Sequence, residues 1–263
     1  MSTSTYLHTP ARTVAAATRW ANLIDHCLLL LIIAASTGCF VKLGLGSPVW
    51  GVIYLGTLWG IARHADEFPS AILSALPLLV FPTICLISVM WSVEPTLTLR
   101  HTFQYLFTFL IAIWIGSRFT PTEIFRALAI ALVGCVALSV AASFGGIIEG
   151  FKQDDYAGAE RYFVGLYGQK NVMGITIVYA AIGTLVTGAL INRKLLCITL
   201  VAAMLPVLIL TKSTTALLLY LIACSFYPAL WFCTQVRYRL LLIIGAVVTI
   251  LLGFFLSMTL DIA

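Results

Sequence analysis

Charge is scarce in this chain. Only 10% of its 263 residues are Asp, Glu, Lys or Arg, whereas 61% are hydrophobic, and the mean hydropathy is +1.06. Soluble globular chains carry about 25% charged residues, and a water-soluble fold could not hide this much apolar surface. The composition therefore excludes an ordinary soluble enzyme and predicts an integral membrane protein with the lipid bilayer as a partner.

Motifs for metal, redox or nucleic-acid chemistry are also lacking. The seven cysteines lie in or beside apolar runs, without a CxxC pair or a neighbouring metal-spaced histidine. We interpret them as small buried hydrophobic residues and expect no metal. The net charge of +5 is spread along the chain rather than gathered in a basic stripe, so nucleic acid is not an expected partner.

Apolar runs dominate what is present. A bilayer core of about 30 Å needs about 20 apolar helical residues. The predicted spans are 22–41, 47–62, 71–90, 97–116, 124–146, 172–191, 195–211, 214–233 and 240–258. They predict an all-α integral membrane protein of about nine transmembrane helices, with an N-terminal segment, 1–20, before a polytopic transmembrane domain, 21–263.

Lysines and arginines set the orientation, because cytoplasmic loops of membrane proteins carry the excess of them. With the N-terminus in the cytoplasm, nine fall inside and six outside. The inner ones are Arg12, Arg19, Arg63, Arg118, Arg126, Arg193, Lys194, Arg237 and Arg239. The outer ones are Lys42, Arg100, Lys152, Arg161, Lys170 and Lys212. We therefore predict a cytoplasmic N-terminus and an outward-facing loop at about 147–170.

The stretch GLYGQKNVMG joins that loop to the sixth span. Asn171 is the predicted helix cap, because its side-chain oxygen can accept an N–H of the first turn. Lys170 adds a full charge to the positive helix end, while Gly165 and Gly168 let the backbone bend towards a ligand. Gly174 permits close helix contact. These features predict an anion site suited to phosphate; the alternative is a capped helix whose lysine reaches the interface.

The eighth span starts with a similar stretch, TKSTTAL. Ser213 or Thr214 is the predicted cap, Lys212 supplies the charge, and Thr215 adds a hydroxyl on the first turn. This start is therefore a second candidate for anion binding, with an ordinary capped helix as the alternative.

The fourth span follows Pro95, a residue that suits the first turn of a helix. Arg100 lies about one turn inside, where a charge is costly unless it snorkels, pairs or faces a wet cavity. His101 and Gln104 follow within a helical turn of it. Arg100 is a third outward candidate, and snorkelling is its alternative interpretation.

Together, three outward helix starts carry cations beside hydroxyl or amide groups, and the outer loop adds Arg161. Their joint occurrence predicts an outward polar site for an anionic, amphipathic ligand whose apolar part stays in the lipid. The spans themselves hold few ionisable groups and show no carboxylate relay or inverted repeat. That composition disfavours an ion-coupled transporter.

Three short motifs resemble one bacterial family. The stretch SVMWSVEPTLTLR (88–100) is similar to the early motif of the O-antigen ligase and Wzy-type polysaccharide polymerase family, in its exopolysaccharide-production branch. GLYGQKNVMG resembles that family's Gly-x-x-x-Lys-Asn-x-x-Gly motif, and TKSTTAL its Ser-x-Thr motif. The resemblance extends over about 20–260.

The resemblance implies a glycosyltransferase with a GT-C-like helical bundle in the bacterial inner membrane. Such proteins transfer or polymerise glycan from an undecaprenyl-pyrophosphate carrier on the periplasmic face, without a cofactor. Other polysaccharide-assembly proteins are further expected partners. On this basis the residues expected to hold the pyrophosphate are Arg100, Arg161, Lys170, Asn171, Lys212, Ser213 and Thr215.

The sequence departs from that family at one point. The family continues into a large periplasmic loop, rich in Arg and His, that is expected to supply the general base. This chain ends at Ala263, and His101 is the one histidine on the outer side of the predicted topology. We therefore expect a truncated gene product, a fragment or a divergent member, without full catalytic activity in this polypeptide alone. A flippase for lipid-linked sugars and a non-catalytic assembly subunit are the alternatives.

Overall fold

A computed structural model describes residues 11–65, 68–153, 161–191 and 193–235, with side chains described within 22–225. The described residues form two compact units. Among these residues, the first unit draws on 11–32 and 50–120, and the second draws on 33–49 and 121–235. Each unit is built almost wholly of helices, so the prediction of a mainly helical chain is confirmed for this part of the sequence.

Nine α-helices and one short hairpin follow one another in the described ranges. The helices are α1 (Ala11–Ser36), α2 (Gly46–Arg63), α3 (Phe68–Ser74), α4 (Val80–Ile87), α5 (Pro95–Arg118), α6 (Pro121–Phe144), α7 (Lys170–Leu190), α8 (Lys194–Leu210) and α9 (Thr214–Gln235). Short 3-10 turns lie at Leu76–Leu79, Ser88–Trp91 and Gly165–Tyr167. The strands are β1 (Phe151–Gln153) and β2 (Arg161–Phe163).

Helices cover most of the first eight predicted spans, and the ninth, 240–258, lies outside the described residues. By length and apolar composition, α6 and α7 can each cross a bilayer, and a bent pair over 68–91 is a third candidate. Three more apolar helices are shorter: Asn22–Ser36, Lys194–Leu210 and Thr214–Ser225. The described chain therefore has two or three candidate membrane-crossing helices and several shorter apolar ones.

The third predicted span, 71–90, is not a single straight helix. Its two parts are bent by 70° at the break after Ser74. Pro77 lies at the start of the 3-10 turn that follows, and Pro82 lies inside α4. A proline has no N–H to donate and disfavours helical backbone at the residue before it. These prolines explain why an apolar stretch of sufficient length is divided into short helices.

A buried carboxylate joins three helices of the first unit. Asp25 on α1 is 2% exposed, and its carboxylate pairs with Arg63, the last residue of α2, and with Arg118, the last residue of α5. The Arg118 Nε lies 3.2 Å from Asp25 Oδ2. Asp25 thus lies in the interior of the first unit, where two guanidinium groups offset the cost of burying its charge.

The second unit is packed around α7, which contacts α6, α8 and α9. Met173, Ile177 and Leu208 belong to one cluster of buried side chains and are each 1% exposed or less. At Gly174, an added Cβ would lie 2.5 Å from the Ala216 Cβ on α9. The predicted close helix contact at Gly174 is thus confirmed, because a larger residue would force the two helices apart.

The loop between α6 and α7 contains the hairpin, which an all-α fold did not anticipate. Its strands are antiparallel, and Phe151 pairs with Phe163 while Lys152 pairs with Tyr162. The rings of Phe151 and Phe163 have centroids 5.3 Å apart, and Phe163 is fully buried. The aromatic pair therefore fastens this polar loop to the core of the second unit.

Candidate functional site

The turn before α7 depends on two glycines. Gly165 has a φ of +52° and Gly168 a φ of +71°, a region that side chains disfavour. A Cβ on Gly165 would also lie 1.8 Å from the Ser139 Oγ. That buried hydroxyl accepts a hydrogen bond of 2.9 Å from the Leu166 N–H. The predicted bend at both glycines is confirmed, and Ser139 holds the turn against α6.

Lys42, which was not among the predicted site residues, fastens the same turn from the segment after α1. Its ammonium donates to the Gly165 carbonyl at 3.0 Å and to the Glu149 carbonyl. Burial, and next the nearby Lys152 ammonium, lower the pKa of Lys42, while Glu149 raises it. A lysine after an apolar run suggests only an interfacial position, so the sequence did not link Lys42 to a carbonyl 123 residues away.

The predicted cap of α7 is wrong by two residues. The helix begins at Lys170 and the residue in the cap position is Gln169, which has extended backbone angles. Asn171 therefore lies inside the first turn. Its side-chain oxygen accepts a hydrogen bond of 3.0 Å from the Ser213 hydroxyl instead of one from its own helix. The amide thus joins two helix starts.

Lys170 lies beside Asn171 at the start of the helix. Its Nζ is 4.9 Å from the centroid of the Tyr162 ring on β2. At that distance the ammonium is attracted by the negative face of the ring. The hairpin consequently sets the position of Lys170. The sequence of the hairpin alone suggested only a charged outer loop.

The connection between α8 and α9 spans three residues. The Thr211 hydroxyl is buried, donates to the Leu208 carbonyl at 2.7 Å and accepts from the Ser213 N–H at 3.3 Å. Ser213 occupies the predicted cap position before α9, and its carbonyl accepts the Leu217 N–H at 3.0 Å. Its hydroxyl, however, points to Asn171 rather than to its own helix.

Lys212 has an unusual backbone conformation. Its φ of +52° makes it the one non-glycine residue with a positive φ among those that the structure describes. Such a conformation costs of order 1–3 kcal/mol and is typically held by its surroundings at functional or switch positions. The hydrogen bonds of Thr211 and Ser213 on either side hold this turn, and the Lys212 side chain is exposed.

Four predicted residues therefore belong to one place, which we call the junction site: Lys170, Asn171, Lys212 and Ser213. Asn171 and Ser213 are hydrogen bonded, and each is next in sequence to a lysine, so both lysines start from the same small area. Long helices begin at this area, α7 with 21 residues and α9 with 22. Their first-turn N–H groups and positive dipole ends favour an anion.

The remaining three predicted residues are exposed. Thr215 is exposed on the first turn of α9. Arg161 is exposed on β2, opposite Gln153. Arg100 belongs to the first unit, where it is exposed one turn into α5; the neighbouring His101 Nδ1 lies 3.0 Å from the Gln104 Oε1. These three stay predicted binding residues without a described contact to the junction site.

Comparison with protein-family models, curated proteins and solved structures finds no match to this chain. The chemistry of the junction site must therefore be argued from its own groups. Two ammonium groups, a carboxamide, a hydroxyl and two helix starts are together suited to binding an anion of more than one charge.

Proposed function

We propose that the chain is a multi-pass protein of the bacterial inner membrane that acts in surface polysaccharide biosynthesis. In this proposal it binds an undecaprenyl-pyrophosphate-linked glycan at its periplasmic face, as a glycosyltransferase-like member of the O-antigen ligase and Wzy-type polymerase family. The observation that carries the proposal is the Asn171–Ser213 hydrogen bond, which brings together two helix starts that each carry a lysine.

The proposed topology has nine spans and a cytoplasmic N-terminus. Contacts within each unit support the alternation of the spans. In the first unit, Asp25, Arg63 and Arg118 meet, and the alternation assigns all three to the cytoplasmic end. In the second unit, Asn171 and Ser213 meet, and the alternation assigns both to the outer end. If the number of spans between two contacting residues were wrong by an odd number, the topology would put those residues on opposite faces of the membrane.

The charge of a diphosphate suits the junction site. When a glycan leaves its carrier, negative charge develops on the diphosphate oxygens. Fixed ammonium groups and helix N–H groups placed near those oxygens stabilise the transition state more than the ground state. Lys170 and Lys212 supply the charges, and the Asn171 amide supplies N–H donors. The isoprenoid tail remains in the lipid, which agrees with the apolar surface of the surrounding helices.

Binding of the carrier tests the site directly. We expect Lys170→Ala and Lys212→Ala each to weaken binding of undecaprenyl diphosphate to the full chain in nanodiscs by about tenfold, because a charge-assisted hydrogen bond contributes about 1.5–3 kcal/mol. Lys194→Ala is the matched control, since Lys194 is an exposed lysine that starts α8 after the other end of α7. Equal affinities for all the variants would reject the junction site.

A gene deletion tests the cellular role. Loss of this protein should change the length or the attachment of a surface glycan, and the Lys170→Ala gene should fail to restore it at normal membrane abundance. A normal glycan profile in the deletion strain, without a compensating paralogue, would count against the proposed function. If the Lys170→Ala gene restored the surface glycan, Lys170 would not be part of the mechanism.

A further inference from the structure

Two buried cysteines meet in the second unit. The Sγ atoms of Cys39 and Cys135 are 3.8 Å apart, although the residues are separated by 96 positions in sequence. Cys39 is 2% exposed and Cys135 is 7% exposed. Cys39 follows the end of α1, and Cys135 lies within α6. The sequence analysis treated both as small hydrophobic residues, and nothing in their spacing indicated a pair.

The surroundings of the pair connect it to the loop that leads into the junction site. Leu166, 1% exposed, forms one buried cluster with both cysteines, and Tyr167 packs against that cluster. The Cys135 thiol donates to the Cys39 sulfur, and the Cys39 thiol donates to the Ala34 carbonyl at 3.2 Å. These contacts direct the two sulfur atoms towards each other rather than into separate cavities.

Burial alone does not produce such a contact. Cys197 is similarly buried, at 6% exposed, but it packs against Gly188, where an added Cβ would lie 2.6 Å from the Cys197 Cβ. Cys197 therefore fits the interpretation of a small residue filling a close helix contact. Cys39 and Cys135 instead bring two groups that can react with each other into van der Waals contact.

We propose that Cys39 and Cys135 form an intramolecular disulfide in the mature protein. A disulfide has an S–S length of about 2.05 Å, so the two sulfur atoms must approach each other by about 1.8 Å. The bond would tie segment 33–49, which carries Lys42, to α6. It would thereby fix the buried cluster against which Leu166 packs. It would also fix the turn before α7, which Lys42 and Ser139 hold by hydrogen bonds.

Because both thiols are buried in the folded chain, the oxidation takes place before the segment after α1 packs against α6. It is a thiol–disulfide exchange with a protein disulfide of the exported compartment as the oxidant. One cysteine thiolate attacks a sulfur of the oxidant and displaces the other sulfur as a thiolate. The second cysteine thiolate then attacks the mixed disulfide and releases the remaining oxidant sulfur. The cysteine pair loses two electrons and two protons, and the oxidant is reduced to a dithiol. Such bonds persist on the outer side of a bacterial membrane, so this step rests on the proposed topology.

Differential alkylation tests the bond in the full-length protein. Cells are quenched in acid, thiols are blocked with one reagent under denaturing conditions, disulfides are then reduced, and the released thiols receive a second reagent. Mass spectrometry of the peptides should find the second label on Cys39 and Cys135 in most molecules, and the first label on Cys197. The first label on both Cys39 and Cys135 would overturn the proposal.

Cysteine variants and a chemical oxidant test whether the two thiols are placed to form a bond, independently of the cellular compartment that they face. In Cys39→Ser, Cys135 should take the first label, and the reverse should hold in Cys135→Ser, whereas Cys197→Ser should leave the pair unchanged. Diamide added to the reduced, purified chain should close the Cys39–Cys135 bond within one molecule. Failure to close it would overturn the geometry. If the lysine variants bound the carrier normally while the disulfide was present, the proposed function would be rejected and the disulfide inference would stand.

Discussion

The two units of this protein are fastened by different interactions. In the first unit, charge joins the helices, since the buried Asp25 carboxylate pairs with an arginine at the end of α2 and another at the end of α5. In the second unit, close packing of small residues and neutral hydrogen bonds join them, as at Gly174 with Ala216 and at Asn171 with Ser213.

The difference teaches which changes each unit tolerates. A buried ion pair is costly to break, because the remaining partner keeps a charge with reduced solvation. A close contact between small residues is costly to widen, because the surrounding side chains lose their packing. The first unit should therefore be sensitive to loss of charge at a single position. The second should be sensitive to added volume, and the junction site depends on that tight packing.

The largest effect is expected from Asp25→Asn. The change leaves the guanidinium groups of Arg63 and Arg118 without their anion, and breaking a buried pair costs about 3–5 kcal/mol. Because 21% and 26% of those arginine side chains are exposed, we expect about 3 kcal/mol. Thermal unfolding of the purified chain in detergent measures the loss, and hydrogen exchange should rise first in α2 and α5.

Glu94→Gln is the matched control for this change. Glu94 is an exposed carboxylate in the cap position of α5, without a side-chain hydrogen bond to the helix, and loss of a negative charge at such a helix end costs about 0.3–1 kcal/mol. If Asp25→Asn and Glu94→Gln lowered stability equally, charge would not be what joins the helices of the first unit.

The next largest effect is expected from Gly174→Ala in the second unit. The new methyl group would lie 2.5 Å from the Ala216 Cβ and 3.3 Å from the Ser213 Cβ, so α7 and α9 must move apart. Overpacking of this kind costs about 1–3 kcal/mol. Exchange should rise in the first turns of α7 and α9, and carrier binding should weaken because the Asn171–Ser213 contact is stretched.

Gly134→Ala separates the contact from the loss of a glycine. Gly134 lies in α6 with no atom within 4 Å of an added Cβ, and alanine is favoured over glycine in a helix by about 1 kcal/mol. We expect this variant to be as stable as the wild type or more stable. A loss equal to that of Gly174→Ala would show that packing at Gly174 is not the cause.

Much of the helical architecture was predictable from the sequence, because long apolar runs and their charged ends are local features. The helix start at Pro95 and the bends at Gly165 and Gly168 were predicted for the same reason: each follows from the backbone properties of one residue type. The break within 71–90 was missed, although Pro77 and Pro82 were visible, since counting apolar length gives no weight to a missing N–H donor.

The pairings that build the candidate site could not be predicted in the same way. Asn171 was assigned to its own helix, because a cap is a local interaction, whereas its partner Ser213 lies 42 residues away. Lys42 and Ser139 were not predicted as site residues, since their partners lie in a distant turn. A single sequence shows which groups are polar, and only the packing of α6, α7 and α9 decides which of them meet.

A smaller effect is expected from Ser213→Ala. The change removes the hydrogen bond to Asn171, and a neutral bond of this kind contributes about 0.5–1.5 kcal/mol. We expect a loss near the lower value, because Asn171 is exposed and its oxygen can bind water instead. Stability is read by thermal unfolding, and carrier affinity by titration in nanodiscs.

Ser225→Ala is the control for Ser213→Ala. The exposed Ser225 hydroxyl donates to the Leu221 carbonyl within α9, so the bond joins no second helix. If neutral bonds between helices matter to the second unit, Ser213→Ala should reduce carrier binding and Ser225→Ala should not. Equal affinities would restrict the role of Asn171 and Ser213 to the fold.

The smallest effect concerns the pH dependence conferred by Lys42. Its pKa in the folded chain is lowered below the ordinary value of 10.5 by burial and by Lys152, against the opposing effect of Glu149. Between the folded pKa and 10.5, the unfolded chain binds the proton more often than the folded chain does. The contribution of Lys42 to stability therefore rises with pH through that window and is constant below it.

Lys42→Met removes the titration together with the hydrogen bonds to Glu149 and Gly165. The difference in unfolding midpoint between wild type and Lys42→Met should widen as the pH rises towards 10.5. A difference that stays constant, or narrows, would mean that desolvation does not govern this ammonium group, and that the turn before α7 is held by charge in the manner of the first unit.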